Sequence, residues 1–296
     1  MLPYPAGKAM TTSTQTVTRR SFLQAAGAAS AFAAFAPVRD VLAQTKTPVG
    51  LQLYCVRREL PDNPGMVLGE LKKMGFQVVE FAGFHNRQPA EWKKLLDDNG
   101  LKAEGHHVNF NLLVGDALKK TIDDNAAIGN KQLIVPSLGA ARVSPRDTFM
   151  KTIDQIKQIA DALKPAGMRI GFHSEADFFK DVDGSRPWDV LVDNTPADVV
   201  MQLDTGNVQT ARPEGVDVVK VFKRNPGRIK TMHVKPFSSA KPAAFIGDDQ
   251  LPWADIIKES QAQKIAYYVI EYERPEVPPL EALKGNLAGL RKFYPA

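Results

Sequence analysis

The chain has 296 residues, 44% of them hydrophobic and 24% charged, which is enough apolar material for a full-sized core and too much for a mainly disordered chain. A single cysteine, Cys55, excludes an intramolecular disulfide framework and any multi-cysteine zinc site. The formal charge of +5 raises the question of a polyanionic partner, and the distribution of the charges answers it.

Residues 1–43 have the order of an export leader. Thr18-Arg19-Arg20-Ser21-Phe22-Leu23 precedes an apolar, alanine-rich run from Ala25 to Ala36. Val41-Leu42-Ala43 then offers small residues where a signal peptidase cuts. The paired arginines resemble the twin-arginine class, which would make the export machinery a partner and the location periplasmic or otherwise exported. An apolar run of about a dozen residues is too short to span a bilayer comfortably, so no stable membrane span is expected after cleavage. The leader holds four basic side chains and one acidic one; without it, 34 basic and 32 acidic groups remain, a net +2. A nucleic-acid binder would show a basic face or stripe, and none is visible in the sequence.

From Val49 onward, strand and helix patterns alternate. The strands are expected at Val49–Tyr54, Gln77–Ala82, Leu101–His107, Gln132–Val135, Arg169–Phe172, Val199–Leu203, Ile229–Val234 and Ala266–Ile270. Helical patterns fill the gaps at Pro64–Met74, Pro89–Asn99, Asp116–Ile128, Pro145–Lys164, Trp188–Asp193, Val216–Lys223, Trp253–Glu259 and Leu280–Lys292. Asp177–Pro187 is an insertion after the fifth strand. Short apolar strands separated by helices imply buried parallel strands with crossover helices. Eight such units in about 250 residues predict an α/β fold, a single-domain (β/α)8 TIM barrel over residues 44–296. A doubly wound sheet competes, but the first strand is not followed by a glycine-rich dinucleotide turn.

The chemistry sits where the apolar runs stop. Glu80 ends the second run, His106-His107 the third, His173-Ser174-Glu175 the fifth and Asp204 the sixth. His233-Val234-Lys235 ends the seventh and Glu271-Tyr272-Glu273 the eighth. In a barrel these ends converge on one mouth, and carboxylates with imidazoles on rigid strand ends suit a divalent cation (Mn, Mg, Zn or Co). Asp204, His233 and Glu271 are the strongest candidate ligands. A fourth should come from His173 or Glu175, which strict alternation would send to the same side. Glu80, His107, His173, Lys235 and Trp253 are candidates for contacting substrate, Trp253 as an apolar wall of the mouth. Glu271 or Glu175 could serve as proton-transfer base, with His107 or Lys235 donating to developing negative charge.

These strand ends resemble those of the xylose-isomerase-like TIM-barrel family, a superfamily of sugar phosphate isomerases and epimerases. The resemblance spans Gly50-Leu51-Gln52-Leu53-Tyr54, Gly75–Glu80, Gly171–Glu175, Leu203–Asn207, His233-Val234-Lys235 and Val269-Ile270-Glu271. It implies a metal bound by a strand-five Glu or His, Asp204, His233 and Glu271, with His107 facing substrate. Two positions depart from the pattern: His173-Ser174-Glu175 stands where one branch has His-Asn-His and the ketose epimerases have a ligand glutamate, and Pro236 stands where an aspartate is common. The implied activity is metal-dependent isomerisation or epimerisation of an unphosphorylated sugar or polyol, through proton abstraction beside a carbonyl and a metal-stabilised enediolate. A lyase or hydrolase of 3-keto-glycosides using the same site is the alternative, and a catalytically inactive periplasmic carbohydrate-binding protein a third. A DNA-repair endonuclease of the superfamily would need a richer ligand set for three zinc ions.

Overall fold

The computed structural model describes residues 47–211, 216–241 and 243–294; the expected leader lies outside them. Eight strands run parallel and close on themselves: β1 (Val49–Gln52), β2 (Val78–Phe81), β3 (Lys102–His107), β4 (Gln132–Val135), β5 (Arg169–His173), β6 (Val200–Asp204), β7 (Ile229–Val234) and β8 (Tyr268–Ile270). Leu51 pairs with both Val79 and Ile270, so β1 is the seam that closes the barrel. Helices fill the crossovers: α1 (Pro64–Met74), α2 (Pro89–Asn99), α3 (Ala117–Ala127), α4 (Ala140–Val143), α5 (Arg146–Leu163), α6 (Pro187–Asn194), α7 (Thr205–Ala211), α8 (Val218–Arg224), α9 (Trp253–Ala262) and α10 (Pro279–Phe293). The expected (β/α)8 barrel is the fold. Among the described residues no helix is long and apolar enough to cross a membrane.

Local chemistry sets the boundaries. Prolines open α1, α2, α6 and α10, where a missing N–H costs nothing. Gly75 and Gly100 end α1 and α2 in the left-handed region, at φ 99° and 58°. The first strand is shorter than the apolar run suggests. Gln52 turns its side chain back to accept from the Tyr54 N–H, and Leu53–Val56 becomes a 3-10 turn. The insertion after β5 likewise becomes a 3-10 turn, Ala176–Phe179, followed by a tight turn closed by the Val182–Ser185 bridge.

The main core lies between strands and helices, with Phe81, Trp92, Phe172, Trp188 and Phe222 fully buried in it. Inside the barrel a small plug of Val78, Tyr267 and Val269 closes the lower end. Two residues further along β2, toward the mouth, the interior turns polar at Glu80, and there the site begins.

Candidate metal centre

Four consecutive strands, β5 to β8, deliver His173, Asp204, His233 and Glu271 to one point. One ligating atom from each lies within 4.8 Å of the others, and all four residues are buried. His173 Nε2 is 3.4 Å from Asp204 Oδ2 and 3.9 Å from Glu271 Oε2. His233 Nδ1 is 3.8 Å from Asp204 Oδ2 and bonded to Glu271 Oε2.

Asp204 divides its work between its two oxygens. Oδ1 accepts the Asn207 N–H at 2.7 Å and so starts α7, while the Ser174 hydroxyl accepts the Asp204 N–H at 2.7 Å. Capping and ligation are thus compatible in this one side chain. Its buried Oδ2 has no hydrogen-bond partner, and neither does either ring nitrogen of His173. A buried carboxylate oxygen facing buried imidazoles without partners is costly unless a cation joins them. Two imidazoles and two carboxylates are a donor set suited to a divalent ion, so the residues fit such a group.

Of the two strand-five candidates, His173 is in this cluster and Glu175 is not. β5 ends at His173, and alternation stops there. Glu175 opens the next turn with its side chain 43% exposed, its Oε1 3.6 Å from His173 Nδ1. It stands at the rim, where Asn207 donates to its Oε2 at 3.4 Å.

Beneath the ligands lies a hub that the sequence does not advertise. Glu80 is fully buried. Its Oε1 accepts from His233 Nε2 at 2.7 Å and Gln52 Nε2 at 2.8 Å, and its Oε2 from Gln202 Nε2 at 2.6 Å. His107 Nε2 is 2.9 Å from both Glu80 Oε1 and Gln202 Oε1, two acceptors, so it carries a proton. Its Nδ1 is therefore the ring nitrogen left to meet a ligand. Glu80, a candidate for contacting substrate, lies fully buried in this hub. Trp253 is 2% exposed in the core, with its indole N–H donated to Asp249 Oδ1 at 2.6 Å. Gln52 and Gln202 complete the hub, and their only signal in the sequence is a lone amide within each of two apolar runs.

Three of the five histidines meet at the mouth. The ring centres of His107, His173 and His233 lie 4.6–5.3 Å apart. His106, on the opposite face of β3, bonds Asn125 Oδ1 at 2.9 Å and accepts the Gly83 N–H at 3.1 Å. His85 lies beside Trp92, at 6.4 Å between ring centres.

The electrostatics follow from the crowding. Burial pulls His233 down, but Glu80 and Glu271 outweigh it and raise its pKa to about 10. Burial likewise opposes a charged His173, yet Asp204 and Glu175 lift it to about 9. Glu80 and Glu271 stay well below the usual carboxylate range despite burial, held by His107 and His233 for the first and by Lys235 and His233 for the second. Lys235 Nζ lies 2.8 Å from Glu271 Oε1, 3.4 Å from Glu273 Oε2 and 3.9 Å from Asp204 Oδ2. Burial disfavours its charge, but Asp204 and Glu271 raise it above the ordinary lysine range.

Comparison with known proteins agrees with the fold. The chain is similar to a sugar phosphate isomerase/epimerase from Parabacteroides distasonis, at 22% identity and TM-score 0.72 over 83% of this chain and 96% of that one. It is also similar to an L-ribulose 3-epimerase, at 16% identity and TM-score 0.64 over 83% and 95% of the two chains. An AP endonuclease, family 2, from Brucella melitensis is comparably similar, at 16% identity and TM-score 0.63 over 84% and 98%. At such identities the likeness carries the fold alone, which this superfold lends to more than one chemistry. No curated protein matches the chain. Residues 68–293 match the family model described as the xylose isomerase-like TIM barrel, and the chain belongs to that family.

Proposed function

We propose that this protein is a divalent-metal-dependent isomerase or epimerase acting on an unphosphorylated sugar or polyol. The observation that carries the reading is the convergence of His173, Asp204, His233 and Glu271, with Asp204 Oδ2 and both His173 nitrogens buried and unpartnered. The likeness in fold to structures named L-ribulose 3-epimerase and D-psicose 3-epimerase supports the reaction class. A bound divalent ion would polarise a carbonyl oxygen and stabilise the charge left by proton removal beside it.

The protein's own groups supply the rest. Glu271 takes the proton next to the carbonyl, and Lys235 Nζ, 2.8 Å from its Oε1, donates to the developing negative charge. His107 presents Nδ1 to a sugar hydroxyl, because its Nε2 is committed below. Glu175 at the rim is the second acceptor, on the His173 side of the cluster. An unphosphorylated substrate is supported by Lys235, whose charge is already shared among three carboxylates.

The test is metal analysis of chelator-free protein, followed by incubation of the Mn-, Mg-, Zn- or Co-loaded protein with free sugars and polyols in deuterated water. About one ion per chain and exchange of a substrate C–H proton are expected. Metal binding without exchange from any sugar would leave a binding protein; no metal at all would end the reading.

We also propose that residues 1–43 direct export, on the order of Arg19-Arg20, the Ala25–Ala36 run and Val41-Leu42-Ala43. N-terminal sequencing of protein from the periplasmic fraction should begin near Gln44. An intact Met1 on cytoplasmic protein would overturn this.

A further inference from the structure

The insertion after β5 takes no part in the metal centre, yet it builds one wall of a cavity of ≈ 570 Å³ beside it. The opposite wall is the segment after β4, with Ser137, Ala140 and Val143. The insertion contributes Phe178, Val182 and Pro187. Glu175 stands between the two places: it lines the cavity, and its Oε1 lies 3.6 Å from Nδ1 of His173, which is in the ligand cluster. The cavity therefore adjoins the metal centre at Glu175, on the Nδ1 side of the His173 ring whose Nε2 faces Asp204 and Glu271.

Cross-loop bonds hold the two walls in place. Ser144 Oγ donates to Asp183 Oδ2 at 3.0 Å, and Arg146 Nη1 to Ser185 Oγ at 2.6 Å. The Val182–Ser185 bridge closes the insertion on itself. Arg142 ties the β4 side to the neighbouring loop by donating to Asn111 Oδ1 and lying over the Phe110 ring, 5.0 Å from its centre. The volume falls in the range of about 300–1,000 Å³ seen for small-molecule sites, more than one sugar ring alone requires.

The lining selects the occupant. Val143, Phe178, Val182 and Pro187 offer apolar surface. The charged groups are Glu175, Asp177 and Asp181 against Lys180, and Lys180 is already paired with Asp177 at 2.7 Å. An anionic substituent such as a phosphate is disfavoured there. A neutral ring with an apolar face and polar edges is suited to it.

We propose that this cavity is a second subsite, and that the substrate is a two-ring reducing saccharide whose carbonyl-bearing sugar sits over the metal centre while a neutral ring fills the space between the β4 and β5 loops. The proposal rests on the metal centre being a sugar site. The neutral ring is a second sugar, and an aryl ring, which offers a comparable apolar face, serves as a binding probe of the same space.

Binding of free glucose, galactose and mannose to the metal-loaded protein should be compared with that of their 4-nitrophenyl glycosides and of cellobiose and lactose, by calorimetry and saturation-transfer NMR. At least one two-ring compound is expected to bind tenfold or more tightly than its free sugar, with saturation reaching both rings. The aryl and disaccharide arms distinguish the two ring types. In Ala140→Trp, which fills the cavity from an exposed position, the advantage should fall to near unity; Ser137→Tyr serves if that variant does not fold. The proposal is overturned if no two-ring compound exceeds its free sugar, or if the advantage survives in the filled variant. Failure of C–H exchange with the advantage intact would remove the isomerase assignment and leave this subsite standing.

Discussion

His233 donates its Nε2–H to Glu80 Oε1 across 2.7 Å of fully buried space, between strands that lie far apart in sequence. That bond fixes which ring nitrogen faces the ligand cluster. With Nε2 committed to Glu80, Nδ1 is the atom that meets Asp204 and Glu271. A carboxylate behind a ligating histidine holds the ring's orientation and raises its basicity.

Glu80→Gln should therefore weaken metal binding by about 10–100-fold, the usual cost of losing such a partner, while the barrel stays folded. The amide keeps the shape and one acceptor oxygen for Gln52 and His233. It loses the negative charge behind the ring and sets an NH2 against the Gln202 donor, so the effect is electrostatic rather than steric. Titration of the chelator-treated variant with Zn or Mn, beside its circular dichroism spectrum, checks both halves. Unchanged metal affinity in a folded variant would show that Glu80 does not orient His233.

The strand-five position gives a second contrast. His173→Ala should lose bound metal, because it removes one of four clustered donors. Glu175→Ala should retain it, because that side chain sits at the rim. Metal content after dialysis decides between them, and the reverse pattern would place the ligand on Glu175.

Much of this was legible in the sequence, and the exceptions have physical causes. The barrel followed from eight apolar runs at crossover spacing, and the ligand strands from a polar residue ending each run. Asp204, His233 and Glu271 stand out because a carboxylate or imidazole after such a run needs a partner. Glu175 was harder to place, because period-two alternation applies only while the strand lasts and β5 stops at His173. His106 and His107 must face opposite ways, but alternation does not say which one faces the barrel interior. Gln52 and Gln202 were silent for a different reason. An amide in an apolar strand shows a buried polar group without naming its partner, and here the partner is Glu80.

His106 gives a pH prediction. Burial, opposed by its bond to Asn125, lowers its pKa from 6.5 to about 4 in the folded protein. Above pH 6.5 it is neutral in both states and contributes its full share of stability. As pH falls below 6.5 the unfolded chain takes up the proton first, so stability declines until about pH 4. The full difference is on the order of 3 kcal/mol. Urea midpoints of wild type and His106→Asn between pH 7 and 4 should converge as the pH drops. A constant gap between them would exclude this contribution.

Gly105 links packing directly to the site. It lies on β3 paired with Glu80, and a Cβ there would overlap Glu80 Oε2, with Cγ only 2.9 Å away. Glu80 has no free direction to move, because Gln52, Gln202 and His233 hold both of its oxygens. Gly105→Ala should thus cost about 1–3 kcal/mol, as overpacking does in a rigid interior, and lower the melting temperature by several degrees. The displaced carboxylate should also loosen its hold on His233, so metal affinity should fall together with stability. Combining Gly105→Ala with Glu80→Ala removes the clash and tests the linkage: the double variant should be no less stable than Glu80→Ala alone. An additive loss would mean that the glycine is required for some reason other than room for this side chain.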